Sequence, residues 1–232
     1  MPWIMLLLSS ALVLLLSKTL RWDRPTTGCL LLIIPLGNTS FLGIPMVQAF
    51  FGEGAVPYAL VYDQLGTFLG LATYGSLILA LYGTEESKPS IQSTIKKIIT
   101  FPPFIALILA FALKSFAYPA TMITLLKTMS ATLIPLVMVA VGFQLTLKLS
   151  KDVVSQLSIG LGIKLIIAPL AALFLCDIFG LQGEVVQVSV FEAGMPPMVS
   201  AGALALLANL WPALTAALVS IGILLTFATL PV

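Results

Sequence analysis

Three ionisable side chains stand inside long apolar runs: Asp63 in VYDQLGTF, Lys164 in GIKLIIAP and Glu192 in FEAGMPP. Burying such a group at membrane depth costs about 2.5–3.5 kcal/mol on insertion scales, so each marks a functional position by default. Groups of this kind neutralise one another, carry a proton, hold a small cation or attract an anionic solute. The plain alternative for each is an internal ion pair that fixes packing. Clustered hydrogen-bonding residues accompany them: Asn38, Thr39 and Ser40 in PLGNTSFLGIP, Tyr62 and Gln64 beside Asp63, and Ser200 after the Pro196-Pro197 pair. Other chemistry is thin. There is no histidine, which removes the usual base of serine and cysteine hydrolases and the commonest metal ligand. Asp63 is the only aspartate in a membrane core, so a facing aspartate pair cannot form. Ser155 and Ser158 share a helix with Lys164, and nothing marks either as a nucleophile. No phosphate loop and no Cys/His metal set is present. The chain is read as not an enzyme, with Cys29 and Cys176 as free packing thiols.

The elements that must hold these groups are membrane spans. The chain is 59% hydrophobic and only 9% charged, against about 25% charged in soluble domains. A net charge of +2 with no basic face gives no case for nucleic acid. A span takes about 20 mostly apolar residues. Eight are predicted, at roughly 3–17, 27–50, 56–82, 98–116, 121–146, 156–178, 185–207 and 211–230, giving an all-α membrane protein. Only the polar stretch 83–97 is long enough to link two halves, leaving three spans in 1–82 and five in 98–232. Eight of the 11 basic residues fall in the loops after spans 1, 3 and 5: Lys18, Arg21, Arg24, Lys88, Lys96, Lys97, Lys148 and Lys151. The positive-inside rule places those loops, and the 83–97 linker, in the cytoplasm and both termini outside. An exported N-terminus with two residues before its first span points to further spans upstream. A self-sufficient eight-span chain is the alternative.

Two of the spans should not be continuous helix. Pro35, Gly37, Gly43 and Pro45 surround the centre of span 2, and Gly194, Pro196 and Pro197 that of span 7. Proline removes a backbone donor and clashes with the preceding turn, and freed backbone groups cannot face lipid. Breaks are therefore predicted at about 36–45 and 193–198. The two spans run in opposite directions, in different halves, with their breaks at similar depth. That is the pattern of an inverted-repeat secondary transporter. At 1.5 Å per residue, Asp63 and Glu192 fall roughly 5–10 Å to the outer side of the midplane and Lys164 about as far to the inner side. Gly66 and Gly70, four residues apart, are read as a close helix contact.

GNTSFLGIP followed by FEAGMPPMVSAGALA resembles the auxin efflux carrier family, in its bacterial branch. The resemblance covers essentially the whole chain. It implies a transporter of two inverted five-span repeats, whose fourth and ninth spans are unwound and cross at the centre. Spans 2 and 7 here would be those two, and the family's first two spans have no counterpart. The implied substrates are small organic anions, such as malate or malonate in bacteria and auxin in plants. The fold group is shared with the bile-acid/sodium symporters, where a Glu-x-Gly stretch at the ninth-span break helps bind sodium. Glu192-Ala193-Gly194 is similar, but Pro196-Pro197 stands where those symporters have Gln-Asn.

The resulting expectation is a secondary transporter that moves a small dicarboxylate-like or auxin-like anion by alternating access around crossed broken helices. Gly37, Asn38, Thr39, Gly43 and Pro45 from the first break would bind the anion. Gly194, Pro196, Pro197 and Ser200 from the second would join them, with Tyr62 and Asp63 alongside. Glu192, Asp63, Gln64 and Lys164 would form a charge shell for a coupling ion, either sodium on Glu192 or a proton, with no other cofactor. The expected setting is the bacterial inner membrane, with the lipid bilayer, the anion and a second copy in a homodimer as partners. A truncated or inactive fragment or structural subunit, and a sodium-coupled bile-acid-type symporter, are the alternatives.

Overall fold

A computed structural model describes residues 1–83, 102–113, 118–132 and 151–230, with isolated positions at 92, 99, 100, 116, 136 and 139. Among the described residues every regular element is helical: α1 (Pro2–Thr19), α2 (Arg24–Ile33), α3 (Thr39–Phe51), α4 (Glu53–Tyr82), α5 (Pro102–Ala112), α6 (Ala120–Ala131), α7 (Val154–Ile178), α8 (Glu184–Ala193), α9 (Val199–Leu207) and α10 (Pro212–Thr229). Four of these, α1, α4, α7 and α10, are long and apolar enough to cross a membrane. The expected spans at 98–116 and 121–146 are represented by α5 and α6. Their remainder, and nearly all of the 83–97 linker, lie outside the described residues.

Spans 2 and 7 are each two helices. Asp23 caps α2 by accepting from the Thr26 N–H, and Pro25 follows in the first turn, where its missing donor is not needed. From Thr26 to Ile33 every residue of α2 is buried, as befits a helix that is apolar all round. It packs on α1, the end of α4, α9 and α10. The helix stops before Pro35, and α3 resumes at Thr39. The first break is thus narrower than the 36–45 expected. Gly43 lies inside a π-helical turn, Thr39–Gly43, and Pro45 falls at the start of the α-helical turns that follow, where proline is tolerated. The second break lies between Ala193 and Val199.

The breaks meet. Gly37 and Pro197 form an antiparallel β-bridge, the only one among the described residues. The Asn38 N–H donates to the Pro196 carbonyl at 2.7 Å, and the Met198 N–H donates to the Leu36 carbonyl at 3.0 Å. Each interruption therefore satisfies backbone groups that the other leaves open, which is what burial in an apolar medium requires. On one side of the crossing α2 packs against α9, and on the other α3 packs against α8.

The long helices around the crossing are not uniform either. α4 contains π-helical turns at Asp63–Phe68 and Leu71–Gly75, and α7 contains one at Ile163–Ile167. A π turn inserts one residue and re-aims the side chains near it, frequently at functional sites. Two of these turns carry Asp63 and Lys164. The Gly66/Gly70 pair does what its spacing suggested: a side chain at Gly66 would collide with Pro2 of α1, and one at Gly70 would approach Leu6 to 2.9 Å. The Trp3 indole N–H fastens the same contact by donating to the Leu65 carbonyl at 3.0 Å.

Candidate functional site

The crossing brings the three intramembrane charges together. Glu192, in the last turn of α8, is 0% exposed, Asp63 is 0% exposed, and Lys164 is 5% exposed. They lie within electrostatic reach of one another through Glu192. Their surroundings differ. Asp63 is fully engaged: one carboxylate oxygen accepts from the Thr39 hydroxyl at 2.6 Å and the Ser40 hydroxyl at 2.5 Å, and the other accepts from the Gln64 amide at 2.6 Å. It ties the first turn of α3 to α4. Among the described residues Glu192 has no hydrogen-bond partner on either oxygen, so it forms no hydrogen-bonded pair with Lys164. Buried carboxylates without partners are rare, because desolvation is then uncompensated.

Both halves of the site rest against glycines of the first break. A side chain at Gly43 would run into the Glu192 carboxylate, 2.8 Å from Oε1 and closer to Oε2. A side chain at Gly37 would come within 3.1 Å of the Lys164 ammonium. Glycine is thus present at both positions to admit a charged group from the other half of the chain. Between the two glycines in sequence stands Asn38, 1% exposed, with neither its amide nitrogen nor its side-chain oxygen partnered among the described residues.

A cavity of about 10 Å³ lies beside the crossing, lined by Gly37 and Thr39 of the first break, Tyr62, Gly66 and Thr67 of α4, Lys164 of α7, Glu192 of α8, and Ser9 of α1 among others. That is room for about one water molecule. Of the expected site residues, the structure gathers Gly37, Thr39, Tyr62, Lys164 and Glu192 at the cavity, with Asn38 and Gly43 adjoining. Asp63 and Gln64 sit behind Thr39 as its support. Pro196 and Pro197 contribute backbone to the bridge. Gly194 packs toward Leu230 and Pro169, Pro45 is buried in α3, and Ser200 is half-buried in the first turn of α9. Sequence reasoning missed Ser9, Thr67 and the α1 wall. The signal available was Ser9-Ser10 and Thr67, polar residues in otherwise apolar spans.

Paired interruptions around a buried charged site belong to transport proteins, and comparison with known proteins agrees: the family model described as membrane transport protein matches residues 1–232. The chain belongs to this family. It is the auxin efflux carrier group that the two Gly/Pro motifs resemble. An uncharacterized transporter of Methanothermobacter thermautotrophicus is 27% identical over 225 residues, which cover 97% of this chain and 72% of that protein. An uncharacterized transporter of Methanocaldococcus jannaschii is 30% identical over 175 residues, covering 73% of this chain and 55% of that protein. The match therefore spans about half the length of the second relative. With its apolar helices, this transporter family member is a multi-pass membrane protein.

Proposed function

We propose that the chain is the core of a secondary transporter that moves a small organic anion by alternating access around the paired breaks. The observation that carries this reading is the bridged crossing with Glu192 buried beside it and unpartnered on both oxygens. A group in that state is ready for a proton, a cation or a substrate, and is costly otherwise. Lys164 at Gly37 supplies attraction for a carboxylate. The segments α2–α3 and α8–α9 act as corresponding parts of two inverted repeats, with the cytoplasmic side set by the basic loops and both termini outside. Glu192 takes sodium or a proton as coupling ion, and Asp63 holds α3 in place.

The test is uptake of labelled malate, malonate and auxin into liposomes carrying the purified chain, under sodium or proton gradients. Gradient-driven uptake should be abolished by Glu192→Gln, with insertion and yield unchanged. Uptake that survives the substitution removes Glu192 from the mechanism.

A further inference from the structure

The two charges that line the cavity are opposite in sign and are not paired with one another. A fully ionised dicarboxylate such as malonate or succinate offers only acceptors. It can meet the Lys164 ammonium, but it leaves the Glu192 oxygens unpartnered and adds like charge beside a buried carboxylate. A ligand with one carboxylate and one ammonium satisfies both ends at once. From the side chains that flank the breaks we infer that the substrate is a small zwitterion, an amino acid, with its carboxylate toward Lys164 and Gly37 and its ammonium toward Glu192 and Gly43. This rests on the alternating-access reading of the same site above, and replaces its organic anion by a zwitterion and the coupling ion at Glu192 by the ligand's own ammonium.

Placement supports it. Lys164 marks its end of the site at Gly37 and Glu192 marks the other at Gly43. Both charges line one cavity, so a single small ligand that carries both signs can meet the two of them. The cavity of about 10 Å³ has room for about one water, so the helices must part around the breaks to admit even a small amino acid. The ligand's ammonium then occupies the place that an anion-only substrate would have to fill with a separate cation. Binding should need no sodium.

The experiment is thermal unfolding of the purified full chain in sodium-free buffer with a matched panel. The zwitterions are glycine, alanine, β-alanine and 4-aminobutyrate. Propionate and ethylamine serve as half-molecules, and malonate, malate and succinate as dicarboxylates. Stabilisation by mass action reports binding without transport. The expected result is a dose-dependent rise in Tm with at least one zwitterion. Its half-molecules should bind about 10- to 100-fold more weakly, the worth of one hydrogen bond to a charged group. Glu192→Gln and Lys164→Met should each weaken the zwitterion by a similar factor, and Lys164→Met alone should affect propionate. Stabilisation by a dicarboxylate but by no zwitterion overturns the inference and leaves the anion-transporter reading standing. Stabilisation by none of the panel, with or without sodium, overturns both.

Discussion

Gly43→Ala tests the contact between the first break and Glu192 most directly, because its sign depends on one neighbour. The added carbon would stand 2.8 Å from Oε1 and 2.9 Å from Cδ of Glu192, and nearer still to Oε2. Ordinary contact requires the nearer carboxylate oxygen to withdraw by about 1 Å. Glu192 is enclosed, so the displacement falls on packed neighbours, at about 1–3 kcal/mol for overpacking. Against this, alanine is about 1 kcal/mol better than glycine inside a helix. With Glu192 present the collision wins or draws. With Glu192→Ala the collision disappears and the helical gain remains. The cycle of four proteins should therefore show Gly43→Ala lowering Tm in the native background by up to about 8 °C and raising it in the Glu192→Ala background by about 2–4 °C. The assay is thermal unfolding in one detergent, with uptake measured in parallel. An effect of the same sign and size in both backgrounds would refute the proposed contact.

Further outcomes follow from the same geometry. Asp63→Ala strands the Thr39 and Ser40 hydroxyls and the Gln64 amide and should cost about 2–4 kcal/mol. Asp63→Asn should cost far less, because Gln64 has an unpartnered oxygen ready to accept after its amide turns over; equal losses in Tm for the two would remove the positioning role. Replacing Pro196 and Pro197 together by alanine should let α8 run toward α9, break the Gly37–Pro197 bridge and stop uptake while the protein still inserts. Normal uptake in that variant would sink the paired-break mechanism. Gly66→Ala drives a carbon into Pro2 and should lower Tm through about 1–3 kcal/mol of strain between α1 and α4. An unchanged Tm would count against that seat.

The breaks were legible because proline and glycine act on the backbone wherever they stand, and Pro35 and Pro196-Pro197 admit no continuous helix. Their exact extent was not. Gly43 and Pro45 carry the same local signals as Gly37, yet they join α3, and only the collision of Gly43 with Glu192 explains why the residue is small. Spans could be counted by apolarity, but the π turns at Asp63 and Lys164 leave no mark in composition, since one extra residue per turn alters aim and not hydrophobicity. Asp63 and Glu192 looked alike as lone acids in apolar runs. The difference between them lies in partners far away in the chain: Thr39 and Ser40 reach Asp63 from 24 and 23 residues off, while no hydrogen-bond donor among the described residues reaches Glu192. The α1 wall was hidden for the opposite reason, as its apolar residues lie on all sides and the buried Ser9 and Ser10 are a weak mark of the inner face.

The bridge between the breaks carries a consequence for how such a chain can change over generations. Leu36 and Pro196 offer carbonyls, and Asn38 and Met198 offer N–H groups, each to the other segment. A lineage that straightened one segment alone would strand a donor and an acceptor in the other, inside a medium without water. The two interruptions are therefore inherited as a pair: a descendant keeps both or must lose both, and a substitution that shifts Gly37 by one residue calls for a matching shift at Pro197.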